Sequence, residues 1–260
     1  MWRPDGWDVR VRIGVLTPHA DVGPESEFRA MAPPDVGVHA ARVPFGGMRH
    51  GGAMDPTIPL APVRAFAEPP YVDEAAAQLA TAPLAALAYA FTSSAYVIGA
   101  DGEAAMLTRL AARAHGLPVV ATCASTVEAL RLLGATRLSL VDPPWFDTEL
   151  NGLGRAYYEA AGFEVCFSAP CGLPSGQALI RPGELHDWVA AHVPEEAEAV
   201  VVGGNGFRAV GMVENLELTL GRPVLTANQV LLWAALRAAD SGTAAITGYG
   251  RLFALDTPSL

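Results

Sequence analysis

Residues 88–99 read AYAFTSSAYVIG, an apolar run that stops at Thr92, Ser93 and Ser94 before a helical stretch takes over. Residues 200–211, VVVGGNGFRAVG, stop in the same way at Gly203, Gly204, Asn205 and Gly206. Where a strand hands over to a helix, the first helical N–H groups have no partner inside the helix, and small hydroxyls beside them complete a set of donors for an anion. Glycine lets further backbone N–H groups approach a ligand closely. The chemistry this suits is binding a carboxylate and stabilising negative charge that spreads onto it. Thr92 and Ser93 can also cap the following helix, a role compatible with binding. The glycines equally suit a tight turn.

Titratable side chains stand at comparable points. TPHAD (17–21) places His19 and Asp21 after the first apolar run. Asp21 could cap the helix begun by PESEF or act as a base; to tolerate an acid substrate it must be protonated or turned onto N–H groups. His19 could donate to an anion or move a proton near neutral pH, or simply be solvated. Cys123, in TCAST, adjoins Ser125 and Thr126 at a helix start, a setting that favours a thiolate, while a small packed residue is the alternative. The segment 46–59, GGMRHGGAMDPTIP, is long enough to act as a lid; Arg49 in it could clamp a carboxylate and His50 could supply a proton. The catalytic candidates are therefore Cys123, His19, Asp21 and His50. Arg208, just past the second turn, could face the site, solvent or the lobe interface, and Cys166 and Cys171 read as structural.

These residues need elements to hold them. Strand-like runs fall at 11–16, 38–45, 86–91, 118–122, 137–142, 163–168, 197–203 and 223–227, with helical stretches at 24–32, 72–82, 101–115, 125–134, 147–161, 183–192, 211–220 and 229–239. Alternation at this spacing predicts α/β architecture with parallel strands, because each parallel pair requires a crossover. The order is duplicated, most audibly where GLPVVAT (116–122) is echoed by GRPVLTA (221–227). Two pseudo-symmetric, Rossmann-like lobes follow, each a parallel sheet flanked by helices, with the active-site cleft between them. The first lobe is expected over 1–115, with 226–260 returning to it, and the second over 116–225. Ligands of such sheets bind outside the carboxyl ends of the strands, where every candidate above sits.

Composition narrows the partners. The 260 residues carry 17 Lys and Arg against 27 Asp and Glu, a net charge of −10, with no basic cluster, so a nucleic-acid partner is not expected. No apolar run is long enough to span a bilayer and no leader segment is evident, which points to a cytoplasmic protein. Six histidines and three cysteines show no metal-ligand spacing, so no metal is expected. No G-x-G-x-x-G follows the first strand, which speaks against a dinucleotide cofactor.

Taken over IGVLTPHADVGPE (13–25), TSSAYVIG (92–99), 116–135, VVGGNG (201–206) and GRPVLTANQVLLWAALR (221–237), the chain resembles the Asp/Glu racemase superfamily, in its maleate isomerase and arylmalonate decarboxylase branch. The resemblance implies cofactor-independent chemistry beside a carboxylate, with one cysteine per lobe in the isomerases and racemases and only the second in the decarboxylases. Those positions are Phe91 and Gly204 here. It also implies a tyrosine in the turn after the fifth strand, where this chain has Pro143, Pro144 and Trp145. The substrate-binding set is then Thr92, Ser93, Phe91, Trp145, Gly204, Asn205 and Gly206, in a pocket more aromatic than usual. The expected function is an isomerase or decarboxylase-like lyase acting on a small carboxylic acid, with no cofactor; the resemblance also raises the expectation of a homo-oligomer. The alternatives are a non-catalytic carboxylate-binding or regulatory protein, and a hydrolase or dehydratase using Asp21 as base.

Overall fold

The computed structural model describes residue 3 and residues 5–255. Among these residues, eight strands form two separate sheets. The first contains β1 (Val11–Pro18), β2 (Val36–Val43), β3 (Ala86–Tyr89) and β4 (Val119–Ala121), in the order β2-β1-β3-β4. The second contains β5 (Arg137–Asp142), β6 (Glu164–Pro170), β7 (Ala199–Val202) and β8 (Val224–Thr226), in the order β6-β5-β7-β8. Every pairing is parallel, so the second sheet repeats the first strand for strand. The inner strands ALAY and AVVV are buried along their whole length, as continuous apolar runs must be when helices cover both faces of a sheet.

In each sheet the chain leaves the first strand toward one edge and returns to pair on its other side. The crevice between β1 and β3, and its counterpart between β5 and β7, is therefore a topological switch point where loops diverge and leave room for a ligand. The loops from all four strand ends line one cavity.

The helices are α1 (Gly23–Met31), α2 (Leu60–Ala67), α3 (Tyr71–Leu79), α4 (Thr92–Arg113), α5 (Thr122–Leu132), α6 (Thr148–Ala160), α7 (Pro182–His192), α8 (Val213–Leu220) and α9 (Ala227–Ala238). Three departures from the sequence expectation matter. Helix α2 was not anticipated, because proline-rich PTIPLAPVRAFAEPP reads as loop; Pro59 precedes the helix and Pro62 lies in its first turn, where the missing N–H costs nothing. Helix α4 starts at Thr92 instead of 101, directly off the strand, and absorbs a break at Gly99 (φ 72°) that the pattern marks as its beginning. Helix α5 likewise starts at Thr122. Both early starts bring a threonine into the first turn of a helix.

Strand β4, which a division at 115/116 assigns to the second lobe, is hydrogen-bonded to β3 in the first sheet; the chain changes sheets between Ala121 and Arg137. Helix α9 packs on β3 and β4 of the first sheet and on α1 and α5. Its residues 227–236 are all buried, Trp233 completely, which explains why VLLWAAL is apolar around the whole helix. Residues 256–260, part of the segment expected to return to the first lobe, lie outside the described residues. No helix among the described residues is long and apolar enough to cross a membrane.

Candidate active site

The cavity between the sheets is lined by Pro18 and Asp21 after β1, Phe91, Thr92 and Ser93 after β3, Trp145 and Phe146 after β5, and Gly204, Asn205 and Gly206 after β7. Phe45, Met48, Met54 and Ile58 cover it, with Gln177 beside Gly206. Its volume is about 30 Å³, room for a single water molecule. The walls are aromatic: Phe91 lies 4.8 Å from Phe45 and 4.1 Å from Phe66 between ring centres, and Trp145 lies 5.8 Å from Phe207. The 46–59 segment closes the cleft through Ile58, whose N–H donates to the Trp145 carbonyl at 3.0 Å, and through Ser175, whose hydroxyl donates to the Pro56 carbonyl at 3.2 Å.

The two turns meet across this space. Asn205 Oδ1 accepts from the Thr92 N–H at 2.8 Å, the Thr92 hydroxyl at 2.7 Å and the Thr122 hydroxyl at 3.1 Å. The Ser93 hydroxyl and the N–H groups of residues 204–206 have no partner among the described residues. Four donors therefore stand unspent in a buried, apolar-walled space, where an anion gains most from each.

Among the described residues, Asp21 is the only lining side chain that is a carboxylic acid. Its Oδ1 accepts from the Gly23 N–H at 2.8 Å at the start of α1, so capping and cavity position coexist. Burial pushes its pKa up, opposed by the Gly23 N–H, by Gln177 and by Arg42, so the protonated form is favoured relative to a free aspartate.

The remaining catalytic candidates are not brought to the cavity. His19 and His50 are exposed on an outer groove of about 900 Å³ that also includes Arg208 and shares Gln177 and Gly206 with the inner space. The Phe45 N–H donates to His19 Nδ1 at 3.1 Å. Arg49 pairs with Asp55 at the surface instead of clamping a carboxylate. Cys123 is wholly buried behind Thr92, its thiol 3.6 Å from the Thr92 carbonyl. The thiolate expected at a helix start is not favoured: burial, with Glu103 and Asp142 nearby, raises the thiol pKa well above its ordinary value.

Two glycines are sterically required. A Cβ on Gly203 would lie 2.4 Å from Asp142 Oδ1, and one on Gly204, where φ is +84°, would lie 2.3 Å from Pro143 Cγ. Replacing Gly204 by cysteine thus combines a left-handed backbone with a collision against a ring. The expected cost is about 3 kcal/mol or more, read as a lower denaturant midpoint at unchanged slope. Pro143→Ala in the same chain should recover only the part due to the collision.

Beneath Gly203, Asp142 accepts from Asn151 Nδ2 at 2.8 Å and from the Tyr96 hydroxyl at 3.2 Å. Burial pushes its pKa up to about 7 despite both bonds. The folded state then holds this proton more tightly than the unfolded chain, so the stability it contributes is complete below pH 4 and is lost as pH rises toward 7. Asp142→Asn keeps both partners, accepting from Asn151 and donating to Tyr96. It should flatten the pH profile and raise stability at pH 8 by roughly 4 kcal/mol at most, measured by urea unfolding at pH 5 and pH 8.

Several site residues carried little sequence signal. Phe45, Phe146 and Ile58 read as ordinary core. Glu27, on α1, looks like one polar position of an amphipathic helix, yet its Oε2 accepts from Asn228 Nδ2 at 2.7 Å and its Oε1 from the N–H groups of Ala209 and Val210. Thr122 and Asn228 lie in turns that symmetry singles out, TCAST and TANQ, and the duplicated pattern was the signal that could have found them.

Comparison with known proteins places this geometry. A family profile described as arylmalonate decarboxylase matches residues 70–253. Maleate isomerase of Pseudomonas putida is 26% identical over 236 residues, covering 88% of this chain and 92% of that protein. Arylmalonate decarboxylase of Bordetella bronchiseptica is 26% identical over 166 residues, covering 62% and 68%. The crystal structure of the maleate isomerase Iso from Pseudomonas putida S16 superposes with a TM-score of 0.81 at 21% identity, over 94% of this chain and 98% of that one.

Proposed function

The chain belongs to the arylmalonate decarboxylase family, and on that premise we propose that it is a cofactor-independent isomerase or lyase acting on a small carboxylic acid in the interlobe cleft. The observation that carries this reading is the facing pair of turns. Ser93 and residues 204–206 line one apolar-walled space, with the Thr92 donors meeting Asn205 across it, and a carboxylate group would fit there once the cover moves. Withdrawal of 46–59, whose ties to the second lobe are the single bonds of Ile58 and Ser175, would admit the rest of the substrate. The relatives are enzymes, which favours catalysis over a purely binding role.

In the lyase form, the bond to a departing carboxylate breaks and its electron pair spreads onto the retained carboxylate as an enediolate, while CO₂ leaves. Donors fixed in advance stabilise that charge without reorganising. The proton then goes to carbon from Asp21, whose pKa burial raises and whose carboxyl lines the same cavity as Phe91 and Gly204. Water restores the proton. In the isomerase form, the same charge stabilisation operates without loss of CO₂. The test is proton NMR of the protein in D₂O with maleate, aspartate, aryl- and alkylmalonates and 2-hydroxy acids, which reads isomerisation, racemisation and decarboxylation as new signals or deuterium entry.

A further inference from the structure

We propose that the carboxamide of Asn205 is an internal occupant of the carboxylate cradle, latched by Glu27 through Asn228, and that a substrate carboxylate must displace it to bind. This rests on the reading of the cleft as a carboxylate site.

The first ground is the crowding of donors. An amide oxygen has two lone pairs, yet Asn205 Oδ1 takes three donors, at 2.8, 2.7 and 3.1 Å, from the two threonines that begin α4 and α5. One N–H and two hydroxyls aimed at a single point suit a carboxylate oxygen better than a neutral amide, since bonds to a charged acceptor are about twice as strong. The amide holds the position a carboxylate oxygen would take.

The second ground is how the amide is held. Asn205 Nδ2 donates to Asn228 Oδ1 at 2.9 Å; Asn228 Nδ2 donates to Glu27 Oε2 at 2.7 Å and to the Asn205 carbonyl at 2.8 Å. Burial pushes the Glu27 pKa up to about 7, opposed by Asn228 and the Ala209 and Val210 N–H groups; above that pH Glu27 is ionised and only accepts. Asn228 must therefore turn its NH₂ toward Glu27 and its oxygen toward Asn205. Asn205 must in turn give its NH₂ to Asn228 and its oxygen to the threonines. The Glu27 carboxylate on α1 and the Asn205 carbonyl both hold the Asn228 NH₂, and that orientation delivers the Asn205 oxygen to the cradle. Glu27, Asn205 and Asn228 are all buried, with Glu27 at the wall of the outer groove. Glu27 touches nothing in the cavity and is a positioning residue.

Removing the occupant should help an acid bind. Isothermal titration with malonate is expected to give a Kd at least tenfold lower for Asn205→Gly than for the unmodified protein, because the ligand no longer competes with an intramolecular group. Glu27→Gln tests the latch without altering the cavity. A glutamine that keeps its oxygen on the Ala209 and Val210 N–H groups sets its own NH₂ against the Asn228 NH₂, which the Asn205 carbonyl holds in place, so the latch loses a bond and gains a clash of donors. Malonate should again bind more tightly, a result that simple loss of a structural contact would not produce. Thermal unfolding of each variant confirms that it is folded, and Asn205→Ala serves if Asn205→Gly is not.

Binding by the unmodified protein that is unchanged or weaker in both variants overturns the plug and leaves the carboxylate site standing, provided Thr92→Ala with Ser93→Ala abolishes it. Tightening in Asn205→Gly alone removes Glu27 from the latch. Absence of malonate binding in every folded protein overturns the reading of the cleft, and the plug with it.

Discussion

Asp21→Asn is expected to lower turnover by about 10²–10⁴-fold while leaving substrate affinity nearly unchanged. The amide keeps the size of the acid and can still accept from the Gly23 N–H, so the start of α1 and the cavity wall persist. What disappears is the proton. Because burial raises the Asp21 pKa, the unmodified enzyme should hold its donor protonated at low pH and lose kcat as pH rises through that raised value. The slope on that alkaline side should vanish in the variant. A kcat reduction with an unchanged pH profile would assign the proton to another group.

The second large effect is expected from Thr92→Ala combined with Ser93→Ala. The change removes two hydroxyls from the cradle and keeps the N–H groups at the start of α4. Loss of one such donor in a preorganised site costs roughly 10²–10³ in kcat, so loss of both should bring turnover to background. Thr92 also bonds Asn205, and its loss unties one of the links between the two turns. Stability should fall by about 1 kcal/mol for that bond, which denaturant titration separates from the catalytic loss. The Ser93 hydroxyl has no partner among the described residues, so Ser93→Ala alone should affect kcat and not stability.

Much of this architecture was legible in the sequence for a physical reason. Parallel strands covered on both faces are continuous apolar runs, and all eight lie where such runs fall. Internal duplication then pairs the turns and points to the ends of β1, β3, β5 and β7. Helix starts were less legible: Thr92 and Thr122 belong to the helices, yet in sequence they look like the loops before them, since Ser and Thr favour both settings. The location of Asp21 was readable from TPHAD, but its protonation depends on burial by residues distant in sequence. Cys123 misled because helix starts favour thiolates only where the thiol meets solvent or a cation, and here it is sealed under Thr92. Glu27 shows the limit most clearly, since no local pattern marks a carboxylate whose partners lie about 200 positions away.

Proton NMR in D₂O, run on the unmodified protein and on the Thr92→Ala, Ser93→Ala variant with the same panel of small acids, tests the central claim most directly. The account predicts a new product or deuterium at the carbon beside a carboxylate for at least one acid with the unmodified protein, and none with the variant. Equal turnover by both proteins would contradict it, because chemistry that survives without those hydroxyls does not take place in the cradle they form.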